Sequence, residues 1–264
     1  MKTLEKRIRT CIADGEKAFV PYILAGDGGL ATLKEKLLFL QEAGVTAIEV
    51  GIPFSDPVAD GEAIQQAGAR ALAEGVTLRK VLEELERCKG EVAVPLVVMT
   101  YLNPVLAFGM PQFVEACSKA GIGGLIIPDL PLEESGPFRE ELKGKDIAWI
   151  PLVSLTSPDE RIVKIAESAE GFLYAVTVNG ITGKRNDFSE ELFSHLQRVK
   201  QISNVPVLAG FGISTREQVK EMGNHTEGVI VGSAIVEALH RNELEGICEL
   251  IQSGVRKDKI VNLY

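Results

Sequence analysis

The chain has 264 residues, enough for two ordinary domains or for one barrel of the α/β type. Its 45% apolar and 25% charged residues are ordinary for a globular enzyme. The net charge of -9 argues against a nucleic-acid partner, which would want a basic face, but local backbone N–H groups could still bind a small anion.

Taken in order, Leu4, Ile8 and Ile12 recur at helical spacing and predict a leading amphipathic helix over residues 2–15. Residues 18–25 are an apolar, β-rich run that ends at the turn Gly26-Asp27-Gly28-Gly29. A helix over 31–43 leads to a short strand at 47–50, then to helices over 62–74 and 77–89. The run PLVVM at 95–99 is a strand, followed by TYLNP read as a loop. Helix 110–120, strand 124–127, the exit loop PDLP and helix 132–143 come next. A strand over 148–153 precedes a helix from Ser157 to Ser168, with Pro158 at its first position. Strand 171–176, helix 189–202, strand 205–209, a helix over 214–222 capped by Ser214 or Thr215, and strand 228–231 follow. Helix then runs to about Ser253.

That is about eight apolar strands, each followed by a helix. Strands apolar on both faces belong in a parallel sheet covered on both sides. A (β/α)8 barrel over 1–264, as a single domain with an extra N-terminal helix, is the natural closure. A doubly wound sheet is the other candidate, and no GxGxxG after the first strand supports it. No apolar run approaches the roughly 18 to 20 residues that span a bilayer, and MKTLEKRIRT has no apolar signal core. A cytoplasmic location with no membrane partner is therefore expected. Cys11, Cys88, Cys117 and Cys248 lie far apart, and His195, His225 and His240 form no metal-binding pattern, so reduced thiols and no metal site are expected.

The stretch AIEVGIPFSDPVADG organises the rest. Glu49 lies inside a strand, where a carboxylate is costly to bury unless it is paired or useful. Asp60 follows on a loop stiffened by Pro53 and Pro57. Two carboxylates in different settings can hold different protonation states, as acid–base work needs. A structural glutamate with solvated loop acids is the bland alternative.

Barrel sites form at the C-terminal ends of the strands. Those ends carry Tyr22, Glu49, Asp60, Thr100, Asn103, Asp129, Tyr174, Phe211 and Ser233, with apolar exits at Tyr22, Leu102 and Phe211. The late exits GFGIS and VGSAIV place Gly212, Gly232 and Ser233 after consecutive strands, with a third glycine loop at 180–183. Such loops let backbone N–H groups approach a phosphate. The GITGKR segment is not a Walker loop, because Val178 stands at its first glycine and Arg185 at its Ser or Thr. GFLYAVTV contains no lysine, which disfavours a Schiff-base aldolase.

The segments EVGIPFSDPVADG, MTYLNP, PDLPLEE, GITG, GFGIS and VGSAIV, in that order, closely resemble the tryptophan synthase alpha subunit family nearly end to end. The resemblance implies cleavage of indole-3-glycerol phosphate to indole and glyceraldehyde 3-phosphate, with no cofactor on this chain. It implies Glu49 as the acid–base residue and Asp60 as partner of the indole N–H. Tyr174, Thr182 and Gly183 would lie near the substrate, and Gly212, Gly232 and Ser233 at its phosphate. It further implies an alpha2-beta2 complex with a beta subunit that holds pyridoxal phosphate, contacted through loops 53–60 and 179–187. The chain departs from the family at AGDGG, at Tyr22 where Phe is common, and at Thr177-Val178-Asn179. Two other classes stay open on the residues alone: a barrel kept mainly as a regulatory subunit, and a sugar-phosphate isomerase.

Overall fold

Each four-residue strand from 48 to 99 and from 207 to 231 is buried along its whole length, the composition that a sheet covered on both faces requires. The computed structural model describes residues 1–177 and 189–254. In chain order its elements are α1 (Thr3–Ala13), β1 (Ala18–Leu24), α2 (Leu33–Glu42), β2 (Ile48–Gly51), α3 (Glu62–Ala73), α4 (Leu78–Cys88) and β3 (Leu96–Met99). Then come α5 (Leu102–Phe108), α6 (Met110–Lys119), β4 (Gly124–Ile126), α7 (Gly136–Glu141), β5 (Ala148–Trp149) and β6 (Leu152–Ser154). The rest are α8 (Asp159–Ser168), β7 (Leu173–Val176), α9 (Glu190–Ile202), β8 (Val207–Gly210), α10 (Arg216–His225), β9 (Gly228–Val231), α11 (Ser233–His240) and α12 (Leu244–Gly254).

The strands pair in the order β5-β4-β3-β2-β1-β9-β8-β7-β6, and every pairing is parallel. The two outer members are halves of one segment, which the sequence reading takes as a single strand. Ile150 N–H donates to the Leu125 carbonyl at 3.1 Å, while the Pro151 carbonyl accepts from Tyr174 N–H at 3.1 Å. Proline has no N–H to continue the ladder, so the segment changes neighbours there and closes the ring. The bottom of the barrel is shut by α1. Leu4 is fully buried, and a Cβ on Gly124 or Gly171 would lie 2.9 and 3.1 Å from it.

Several boundaries differ from the sequence expectation. TYLNP opens α5, because Pro104 falls in the first turn, where a missing N–H is harmless. Pro158 precedes α8 as its N-cap and is not its first helical residue. The helix expected over 132–143 is a 3₁₀ turn, Leu132–Glu134, followed by the short α7. Asn242, at φ 58°, lies between α11 and α12 where one helix is expected. Thr215, not Ser214, caps α10 through a capping box with Gln218. Among the described residues no helix is long and apolar enough to cross a membrane. All four cysteines are unpaired.

Candidate active site

Glu49 stands in the middle of the parallel ladder, in register with Tyr22 on β1 and Val97 on β3. Its side chain is 1% exposed, and Oε2 has no hydrogen-bond partner among the described residues. Burial, with a smaller contribution from the Asp60 charge, pushes its carboxyl up to about 8. Asp60 lies 6% exposed at the end of the loop after β2. Burial raises it to about 6, against a hydrogen bond from Tyr101 that favours its charged form. At neutral pH the two acids therefore sit in opposite states, Glu49 protonated and Asp60 ionised.

Two tyrosines flank the pair in one repeated geometry. Tyr22 on β1 reaches over Gly51 on β2, and Tyr174 on β7 reaches over Gly210 on β8. In both cases the glycine pairs with the residue two beyond the tyrosine. A Cβ at Gly51 would lie 1.9 Å from the Tyr22 hydroxyl, and one at Gly210 would lie 2.3 Å from that of Tyr174. Only glycine leaves room for these rings. Gly51→Ala and Gly210→Ala are expected to displace the tyrosine and lower kcat/KM by up to about 10²-fold, with the circular dichroism unchanged. Steady-state kinetics on both variants checks this; wild-type values would mean that the rings move without consequence.

Phe211 packs against Tyr174 with ring centroids 5.6 Å apart. Its φ of 72° is unusual for a side chain that is not glycine, and Gly212 has the same φ. Thr177 steadies this turn, its hydroxyl donating to the carbonyls of Gly210, at 2.9 Å, and Phe211. Thr177 has no role in the sequence-based site, and only its place at a strand exit signals one.

Thr100 is 1% exposed, with an unpartnered Oγ1 among the described residues. Leu102 and Asp129 meet at the start of α5, where Leu102 N–H donates to Asp129 Oδ1 at 2.9 Å. One oxygen of the exposed Asp129 carboxylate is thus committed to the helix start. Tyr101, just before that helix, is absent from the sequence-based site. Its hydroxyl accepts from Ala59 N–H at 3.1 Å, and its ring lies 5.3 Å from that of Phe54. Gln65 donates to the Asp60 carbonyl at 2.8 Å.

Across the mouth, Gly232 precedes α11 and Ser233 opens it. The Gly232 carbonyl accepts from Ile235 and Val236, so the N–H groups of Ser233 and Ala234 are the ones with no acceptor inside the helix. Gly232 lies beside Tyr22, and Ser233 beside Gly61. Thr182, Gly183 and the loop 179–187 lie outside the described residues. Among the described residues no three His, Cys, Asp or Glu side chains gather to hold a metal ion.

A parallel barrel with two buried, oppositely protonated acids at its C-terminal mouth defines a barrel enzyme of acid–base chemistry. Residues 8–260 match the family model described as tryptophan synthase alpha chain. A tryptophan synthase alpha chain of Bacillus cereus is 53% identical over 96% of this chain and 98% of its own. A Mycobacterium tuberculosis tryptophan synthase structure superposes with a TM-score of 0.88 at 34% identity, covering 96% of this chain and 98% of that one. A mutant alpha-subunit from Pyrococcus furiosus gives 0.82 at 33% identity, covering 90% and 98%. This chain belongs to the tryptophan synthase alpha chain family. It is a carbon–carbon lyase of tryptophan biosynthesis, cleaving indole-3-glycerol phosphate to indole and glyceraldehyde 3-phosphate. The family pairs with a beta subunit.

Proposed function

We propose that Glu49 and Asp60 divide the proton chemistry of this cleavage between them. The observation that carries the reading is the buried Glu49, whose Oε2 has no hydrogen-bond partner among the described residues, in a setting that raises its carboxyl to about 8. Glu49 gives its proton to C3 of the indole ring, which leaves an iminium-like ring nitrogen. Ionised Asp60 accepts the ring N–H and meets the positive charge that develops there. The Glu49 carboxylate then takes the proton of the side-chain hydroxyl. The bond from C3 to the side chain breaks, its electron pair returns to the ring, and glyceraldehyde 3-phosphate leaves as the aldehyde. Glu49 ends protonated, as it began, and no lysine is needed because the protonated ring is the electron sink. Tyr22, Tyr174, Phe211, Leu102 and Thr100 form the walls for the ring, with Thr182 and Asp129 at the substrate's edge. Mixing the purified protein with indole-3-glycerol phosphate and following indole release tests the reading. The rate should fall on both sides of neutrality, below about 6 as Asp60 gains a proton and above about 8 as Glu49 loses one. A flat profile of kcat/KM between pH 5 and 9 would remove the two-acid scheme.

Phosphate recognition in this reading falls to Gly183, Gly212, Gly232 and the start of α11 at Ser233, supported by the N–H groups there with no helical acceptor. Gly212→Val or Gly232→Val is expected to weaken glycerol phosphate binding, because a side chain blocks the backbone approach. Unchanged dissociation constants by calorimetry in both variants would move the phosphate elsewhere.

For the beta subunit, in an alpha2-beta2 complex, the contact runs through loops 53–60 and 179–187. The first of these displays Val58 at 67% exposure, an apolar side chain that a partner could cover. Val58→Asp should weaken the complex by about tenfold or more and reduce any rate gain on adding beta subunit. A titration indistinguishable from wild type would take loop 53–60 out of the interface.

A further inference from the structure

We propose that Tyr101 is a positioning residue of the lyase reaction, whose hydroxyl ties the loop bearing Asp60 to the end of β3 and aims that carboxylate into the barrel mouth. The inference rests on the role given to Asp60 above. The loop from Pro53 to Asp60 holds itself by few bonds: Asp60 N–H reaches the Pro57 carbonyl at 3.1 Å, and Val58 N–H reaches that of Asp56 at 3.0 Å. Its middle is exposed at Ser55, Asp56 and Val58, so internal contacts alone leave Asp60 poorly fixed. Outside the loop, Gln65 holds the Asp60 carbonyl, and Tyr101 adds a second hold from the barrel wall. It is 2% exposed, at the junction of β3 and α5, and therefore rests on the rigid wall of the barrel. Phe54 packs against its ring, tilted by 31°, at one end of the loop. At the other end its oxygen accepts from Ala59 N–H at 3.1 Å. That leaves the hydroxyl proton free to donate, and Asp60 is the residue next to the Ala59 it holds; a hydrogen bond from Tyr101 lowers the Asp60 pKa against burial. One side chain thus grips the loop at both ends and satisfies the charged form of the acid. Asp129 steadies the grip from beneath by holding Leu102 N–H, the next residue along.

Tyr101→Phe keeps the ring and its contact with Phe54 and removes only the hydroxyl. Loss of a hydrogen bond to the ionised form raises the pH at which Asp60 gains its proton. The acid limb of the kcat profile should move up by about one pH unit. Turnover at pH 6 should fall about fivefold, with much of it regained at pH 8 and KM altered less than kcat. A second measurement needs no turnover: carbon NMR titration of labelled aspartate carboxyls, with Asp60→Asn to assign the signal, should show the same upward shift in Tyr101→Phe. Equal loss at every pH with an unmoved Asp60 titration would mean a merely structural tyrosine and would overturn the proposal, as would a Tyr101→Phe enzyme with a wild-type profile. If Asp60→Asn itself cleaved at the normal rate, the role of Asp60 would fall. The NMR titration would still decide whether Tyr101 holds that carboxylate.

Discussion

Glu49→Gln is expected to lower kcat by about 10²- to 10⁴-fold and, at the same time, to make the protein more stable at pH 8. Both effects come from one fact, the burial of an ionisable group whose Oε2 has no partner among the described residues. Glutamine keeps the shape and the polarity but can neither give nor take the proton. The stability effect has a definite sign. An unfolded chain releases this proton near 4.5, whereas the folded one holds it to about 8. Between those values the folded state binds more protons than the unfolded, so stability falls as pH rises and is constant beyond. The glutamine variant lacks that decline. It should match the wild type near pH 4 and exceed it at pH 8 by on the order of 4 kcal/mol. Urea unfolding at the two pH values reads the difference directly. Equal midpoints at pH 8 would show that Glu49 is already ionised in the folded protein, and the acid role would go with it.

The burial of Glu49 is also what makes this candidate site legible in the sequence. A glutamate between Ile48 and Val50 violates the apolar pattern of a central strand, and such violations gather where function is maintained at the expense of stability. The barrel itself was equally legible, since its strands are runs of apolar residues with helices between them. What escaped was set by tertiary contacts or by backbone shape. Pro104 after Asn103 reads as a turn, and only its place in a first helical turn makes it part of α5. Pro151 reads as one more residue of a strand until its neighbours on each side are known. The pairing of Tyr22 with Gly51 and of Tyr174 with Gly210 needs the register of parallel strands far apart in the chain. Tyr101 carries no sequence signal for a similar reason. Its partners, Phe54 and Ala59, are more than forty positions away, and nothing local to MTYLNP points to them.

Asp60→Asn is expected to lose about 10²- to 10⁴-fold in turnover while binding the uncleaved substrate within a few-fold of the wild type. An asparagine oxygen can still accept the indole N–H, so the ground-state contact survives. It carries no charge, however, and the charge is what matters once C3 is protonated and the ring nitrogen becomes cationic. An interaction that strengthens only as the reaction proceeds appears in kcat and not in affinity. The setting enlarges this effect, because Asp60 is 6% exposed and little water is available to screen it. Its pH dependence is a second signature. An acid limb near 6 is expected from Asp60 in the wild type, and in the variant that limb should vanish from the residual activity, leaving only the loss above about 8 expected from Glu49. Calorimetry with the substrate and a kcat profile of the same preparation give both readings. Weakened binding with little change in kcat would make Asp60 a ground-state anchor, and a surviving acid limb would assign that limb to another group.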